Sequence, residues 1–317
     1  MKSKYLLAFV CTMLSVLPIG PSAASSYSEL SSRMDPGEHL AKLDGVVLHY
    51  EIRGKGPLVV VQAPGWGIGS EYLEKGLEPL EKRFTVLTYD PRGTGQSSPV
   101  DSTEHLTNND LANDLEQLRI HLGLNQLDLV GHSNGSAIAI LYAEEHPNHV
   151  RKLVVIGSQL LGYPGAAGPA ETAENTRRKM NPQFATYSAS MREPTPATDA
   201  AFTRQFKAYA GFFFYEPAKD LPVLLSSMTK PMSVSMNKAF KESPPPAEAP
   251  PISDLGKITA STLIVEGRQD PACPLSESEQ IQQGIHGSRL VPIDHAGHFP
   301  WIEQPDQFFG DVMGFLE

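Results

Sequence analysis

Short apolar runs at 58–61, 84–89, 127–130, 153–156 and 262–266 punctuate the chain. They are continuous rather than alternating, the pattern of parallel strands buried on both faces. Helical spacings fill the intervals. Tyr72, Leu73, Leu77 and Leu80 mark one helix; Leu111, Leu115, Leu118 and Leu122 share one face of another, opened by Thr107 with Asp110 and closed by Gly123. A helix over 275–285, a strand over 289–293 and a last helix through Phe308, Val312 and Phe315 complete the series. Near the start, Asp44-Gly45 separates two alternating stretches and predicts a hairpin. The alternation of strands and helices predicts an α/β protein with a mostly parallel sheet.

Two stretches break this rhythm. Residues 1–24 carry Lys2 and Lys4, an apolar run too short to span a bilayer, Pro18-Ile19-Gly20-Pro21 and then Ser22-Ala23-Ala24. This predicts a cleavable signal peptide and a secreted or periplasmic protein. Residues 160–252 are rich in proline and glycine and contain no strong strand signal. Helical spacing there, at Phe202, Phe206 and Tyr209 and at Leu224, Met228, Met232 and Met236, predicts a helical cap. The second series is interrupted by Pro231, and a proline-rich connector at 243–251 leads out of the segment. The expected organisation is signal 1–24, core 25–159, cap 160–252 and core 253–317.

Candidate chemistry is concentrated where strands end. Gly131-His132-Ser133-Asn134-Gly135 lies between an apolar strand and an apolar helix, the setting of a G-x-S-x-G elbow that holds a serine clear of the backbone. The glycines at 131 and 135 leave room for strand and helix to approach. An activated serine needs a base and a group to orient it. Gly267-Arg268-Gln269-Asp270 and Gly297-His298 follow later strands, placing Asp270 and His298 on the same rim as Ser133. His295 competes with His298, and His132 is expected to be structural.

With Asp90-Pro91-Arg92-Gly93-Thr94-Gly95-Gln96-Ser97 and Glu303-Gln304-Pro305, these motifs give the chain a resemblance to the α/β-hydrolase superfamily over residues 40–317. The resemblance implies a twisted sheet with helices on both faces and a helical cap. It also implies a nucleophile at Ser133, a base at His298 and an orienting acid at Asp270. Backbone N–H groups of Asn134 and Trp66, with Gly65 the alternative to Trp66, would receive the oxyanion. Relatives often carry His-Gly where this chain has Pro64-Gly65-Trp66. An ester or lactone of a small to medium substrate is the expected target. The alternative is an exopeptidase resembling proline iminopeptidases; a ligand-binding protein on the same fold is a third class. Glu171, Glu174, Glu193 and Glu216 of the cap, mixed with Arg177, Arg178, Lys179 and Arg204, are read as solvated surface.

Composition narrows the partners. Without Lys2 and Lys4, 24 basic residues face 36 acidic ones, a net charge of about −12, which disfavours nucleic acid and anionic membranes. Cys273 is the one cysteine after the signal, so no internal disulfide is available, and a buried apolar role is expected. No metal-ligand spacing or cofactor motif stands out. The run from Val59 to Asp90 resembles a dinucleotide fingerprint, but Ser70 replaces its third glycine. The Asn134-Gly135-Ser136 sequon is read as fortuitous.

Overall fold

A computed structural model describes residues 32–101, 103–161, 169–241 and 252–317. The expected signal peptide and the whole of the proline-rich connector lie outside the described residues. Contacts divide the chain into two units, Met1–Asp35 and Pro36–Glu317. In the first, a turn is closed by Asp35 N–H donating to Ser32 O at 3.3 Å.

The second unit is built on eight strands: β1 Gly37–Lys42, β2 Val47–Gly54, β3 Leu58–Gln62, β4 Thr85–Tyr89, β5 Leu127–His132, β6 Val150–Ile156, β7 Ser261–Gly267 and β8 Arg289–Ile293. Their order in the sheet is β1-β2-β4-β3-β5-β6-β7-β8. The first hairpin is antiparallel, β2 runs antiparallel to β4, and every later pairing is parallel. The expected turn at Asp44-Gly45 is present, with Gly45 at φ 74°. The chain leaves β3 for β4 on one side and returns to β5 on the other. This reversal opens a crevice at the C-terminal ends of the strands, the usual place for a ligand in such sheets.

Pleating explains the continuous apolar runs. Val59, Val61, Val86, Val130, Val154, Ile156, Leu263 and Val265 face one core, with Phe308, Val312 and Leu316 of the last helix. Their neighbours Val60, Leu87, Leu129, Leu153, Val155 and Ile264 are also buried, and successive strand residues point oppositely, so the other face is covered too. There the helices α2 Asn108–His121 and α3 Asn134–Glu145 pack together, α3 against β3, β5 and β6. The expected cap of α2 is a complete capping box between Thr107 and Asp110.

Two helical readings need correction. The apolar series from Tyr72 to Leu80 is a short helix, α1 Glu71–Gly76, followed by a 3-10 turn at Glu78–Lys82, because Pro79 begins a new turn. Leu224, Met228, Met232 and Met236 are all buried, yet they lie on two helices and the link between them. Between β6 and β7 the described helices are α4 Pro169–Met180, α5 Pro182–Met191, α6 Asp199–Tyr209, α7 Pro217–Ser226, α8 Val234–Lys241 and the short α9 Ile252–Leu255, with no strand among the described residues. The core then closes with α10 Leu275–Gly284, α11 Pro300–Glu303 and α12 Pro305–Leu316. No helix among the described residues is long and apolar enough to cross a membrane.

The glycine of the elbow provides a test. A Cβ at Gly135 would lie 2.3 Å from Gln62 O, whereas one at Gly310 in α12 meets nothing within 4 Å. Gly135→Ala is expected to lower stability by about 3 kcal/mol or more, since backbone must shift. Gly310→Ala should be neutral or stabilising by up to about 1 kcal/mol. Urea unfolding midpoints measure both, and an unchanged midpoint for Gly135→Ala would contradict the packing described.

Candidate active site

The last residue of β5 is His132, and Ser133 turns the chain into α3 with φ 57° and ψ −129°. A serine rarely adopts positive φ, and such strain is of order 1–3 kcal/mol. Neighbouring bonds hold it. Ser133 N–H donates to Ile156 O at 2.9 Å, and Ser136 Oγ binds Gly131 O at 2.9 Å. A Cβ at Gly131 would sit 2.5 Å from Gly135 O, so the glycine spacing is required by space. Ser133 is half-buried and faces a cavity of about 380 Å³ that His298 also lines.

Asp270 and His298 come from the loops after β7 and β8, which pack backbone on backbone: Gln269 N–H donates to Ala296 O at 2.9 Å, and a Cβ at Gly267 would meet Gly297 O at 2.0 Å. Asp270 Oδ2 is 2.6 Å from His298 Nδ1. Its Oδ1 accepts from Ala272 N–H at 2.7 Å and Cys273 N–H at 3.1 Å. With Nδ1 engaged, Nε2 is the nitrogen of His298 left for proton transfer.

The histidine backbone is gripped from both sides. His298 N–H donates to Phe213 O at 2.9 Å, and its carbonyl accepts from His132 Nε2 at 2.9 Å. A carbonyl can only accept, so His132 carries its proton on Nε2, and Tyr72 O–H donates to Nδ1 at 2.7 Å. Burial and the neighbouring His298 ring hold His132 well below the ordinary histidine range. It is a neutral structural residue, as its place in the elbow suggested. His295 is exposed and lies against the Tyr215 ring, 5.2 Å between centroids. Gly157, which the sequence did not single out, is needed here: at φ 52° its Cβ would lie 3.0 Å from His298 Nδ1.

The loop after β3 brings Pro64 and Trp66 to the cavity wall. Gly67 N–H bonds back to Gly65 O, closing a tight turn with Trp66 at its apex, and Gly65 and Gly67 have φ of 85° and 87°. The side chain of Asn134 fastens this loop to the elbow, donating from Nδ2 to Pro64 O at 2.7 Å and to Asn108 Oδ1 at 2.9 Å. Asn134 is thus buried and committed, in keeping with a fortuitous sequon. Its N–H stands at the first position of α3, where no intrahelical acceptor exists.

Residues inserted between β6 and β7 build the opposite wall. Phe202, Phe206, Leu224, Met228 and Met232 line the cavity and belong to the core cluster, so one set of side chains serves both. Gln159, Tyr209 and Asn237 add polar atoms, and Lys241 is the only charged side chain among the described lining residues. Cys273 also lines the cavity, with its thiol pushed up by burial and by Asp270.

Part of the expected solvated surface is not solvated. Glu174 and Arg178 are 7% and 4% exposed, and Arg178 Nε donates to Glu174 Oε1 at 2.5 Å. Arg178 also binds the carbonyls of Phe212, Phe214 and Gln269, joining α4 to the Phe213 segment and to the residue before Asp270. The i, i+4 spacing that usually marks an exposed pair is here a buried staple. Glu193, Glu216, Lys179 and Arg204 are exposed as expected, and the side chain of Glu171 lies outside the described residues. A second buried acid, Glu303, accepts from Tyr215 N–H at 2.6 Å and Gly297 N–H at 2.7 Å, and burial pushes its carboxyl up to about 8.

Among the described residues, two clusters bring donor atoms of metal-ligating type within 4.8 Å. Glu116 in the Glu116, His146 and His149 cluster is already bound by Arg119 and Tyr142. The other is Asp270, Cys273 and His298 itself.

The α/β-hydrolase-fold family model matches residues 58–305. Among characterised proteins, the chain is 27% identical over 280 residues to the serine hydrolase BPHL of Mus musculus, covering 87% of this chain and 84% of that one. It is 27% identical over 285 residues to the proline iminopeptidase PfmaB of Pestalotiopsis fici, covering 87% and 98%. A solved meta-cleavage product hydrolase from Pseudomonas fluorescens aligns with a TM-score of 0.67 at 19% identity, covering 88% and 97%.

Two measurements test the supports of the site. Arg178→Met leaves Glu174 to Arg177 alone and removes the bonds to the carbonyls of Phe212, Phe214 and Gln269, and should destabilise by about 2 kcal/mol or more in urea unfolding; no loss would contradict a buried staple. Glu303 has a raised native pKa, so its stabilising contribution is complete below about pH 4.5 and is lost as pH rises through about 8. Glu303→Gln removes that titration. The stability advantage of wild type over the variant should therefore shrink by about 2 kcal/mol between pH 6 and 9, and a constant difference would exclude the titration.

Proposed function

The chain belongs to the α/β-hydrolase family, and from that premise we propose that it is an exported serine hydrolase cleaving a carboxylic ester or lactone through an acyl-enzyme. Ser133 Oγ attacks the carbonyl carbon while His298 Nε2 takes its proton. The same proton passes to the leaving alcohol, and a water activated by His298 then releases the acid. Asp270 holds the imidazole in the required tautomer. The N–H groups of Asn134 and Trp66 receive the charge that develops on the carbonyl oxygen. The observation that carries this reading is the 2.6 Å bond between Asp270 and His298 beside a strained serine lining the same cavity.

An ester or lactone is favoured over an aminoacyl amide by the cavity wall. An exopeptidase must hold a protonated amine, which calls for a carboxylate, and none of the described lining residues is Asp or Glu. The apolar wall suits an acyl or alcohol group of modest size. Similarity to a proline iminopeptidase keeps the aminopeptidase reading as the alternative.

Initial rates on paired acyl esters and prolyl anilides, with Ser133→Ala as control, discriminate the two. Ester turnover with inert anilides is expected, and Ser133→Ala should lower it by roughly 10⁴ to 10⁶ while the fold is retained. Efficient cleavage of the anilide would replace the esterase reading. A fully active, folded Ser133→Ala would remove the mechanism altogether.

A further inference from the structure

All four carbonyls of the loop 64–67 are bound by donors. Pro64 O takes Asn134 Nδ2 at 2.7 Å, Gly65 O takes Gly67 N–H, Trp66 O takes Asn237 Nδ2 at 3.1 Å and Gly67 O takes Ser233 N–H at 2.7 Å. Among the described residues no acceptor meets the N–H of Gly65 or of Trp66. The loop thus engages its acceptors and leaves two donors unengaged, which is what a developing oxyanion requires.

These bonds are needed because the loop does not hold itself. Gly65 and Gly67 flank Trp66 with φ of 85° and 87°, and glycine leaves the peptide units on either side of Trp66 free to rotate. A trans peptide points its C=O and N–H in opposite directions, so fixing one end aims the other. Asn237 Nδ2 fixes the Trp66 carbonyl, and with it the Gly67 N–H of the same peptide unit. That N–H holds Gly65 O, and the unit that carries Gly65 O ends in the Trp66 N–H. We infer that Asn237, from the segment inserted between β6 and β7, is a positioning residue that aims the Trp66 N–H at the oxyanion through these two peptide units.

The surroundings agree. Asn237 is buried on α8, and its Oδ1 meets no donor. A half-satisfied buried amide is a poor way to stabilise a fold, so the bond to Trp66 O is the reason for this side chain. Neighbouring contacts hold α8 against the loop. A Cβ at Gly67 would lie 2.2 Å from Ser233 O, the residue before the helix, and the Phe240 ring packs against Trp66 with 5.5 Å between centroids. The helix that contributes Asn237 to the cavity wall is therefore also the one that aims the donor.

The catalytic consequence rests on the proposed acyl transfer, so the experiment has one arm that needs no turnover. Amide hydrogen exchange at Gly67, read by NMR, should be faster by about tenfold or more in Asn237→Leu than in wild type; an unchanged rate would overturn the inference whatever the protein hydrolyses. In kinetics, wild type against Ser133→Ala first decides whether Ser133 turns over an ester. If it does not, the hydrolase reading fails, and the exchange rate still decides the hold of Asn237 on the turn. If it does, Asn237→Leu should lower kcat by about tenfold or more with KM within about twofold. A thionoester counterpart of the ester separates positioning from general damage, because a thiocarbonyl sulfur accepts hydrogen bonds weakly and gains little from the donor. The ester-to-thionoester rate ratio should therefore fall by about tenfold in the variant. An equal loss on both substrates, or no loss on either, would overturn the proposal. Exchange of a half-satisfied amide for apolar volume should leave the urea midpoint unchanged, and if Asn237→Leu does not fold, Asn237→Ala serves the same comparisons.

Discussion

Ser133 stands in a backbone conformation that a serine adopts only when its surroundings leave no alternative. The positive φ at the end of β5 is stabilised by Ile156 O from the neighbouring strand, by Ser136 across the turn, and by two glycines that let α3 lie against β5 and β3. Much of the rest follows from this constraint. The sheet must be parallel here, so that β6 ends beside β5 and offers its last carbonyl. The strand order must reverse at β3, so that the loop carrying Trp66 reaches the same crevice. Strain is tolerated because β5 is fully buried and the strands on both sides, largely buried, fix the frame.

The second organising feature is the way the segment between β6 and β7 is fastened to the site. It is held by backbone carbonyls and buried charges rather than by apolar contact alone. Phe213 O binds the His298 N–H, Ser233 N–H binds Gly67 O, and Arg178 links three carbonyls of two segments. Glu303 joins Tyr215 to Gly297. The wall of the cavity and the histidine loop are therefore one mechanical unit. Displacement of the wall would pull on the backbone of His298 through Phe213.

Much of this was legible in the sequence, for identifiable reasons. Buried parallel strands announce themselves as unbroken apolar runs, and the Thr107–Asp110 box marks a helix start by its own hydrogen bonds. Ser133, Asp270 and His298 were recognisable because each follows a strand and so shares one rim. What escaped were features that depend on distant segments. Glu174 and Arg178 have the spacing of an exposed pair, and only the packing of Phe212 and Gln269 buries them. Glu266 and Glu303 look like ordinary strand and helix ends, with no local sign that their partners include Ser158 and Gly297. Gly157 is required by an imidazole that arrives from the far end of the chain. The break in the Leu224 to Met236 series was foreshadowed by Pro231, but the burial of all four residues was not.

The central claim is that Ser133 is an activated nucleophile in the cavity it shares with His298. Labelling with a fluorophosphonate, followed by peptide mass mapping, tests it most directly because phosphonylation needs the activated serine but no knowledge of the natural substrate. The account predicts one label per chain, located on Ser133, with hydrolysis abolished in proportion and with labelling lost in His298→Ala. Hydrolysis that persists with Ser133 unlabelled, or a label carried at another residue as activity falls, would contradict it.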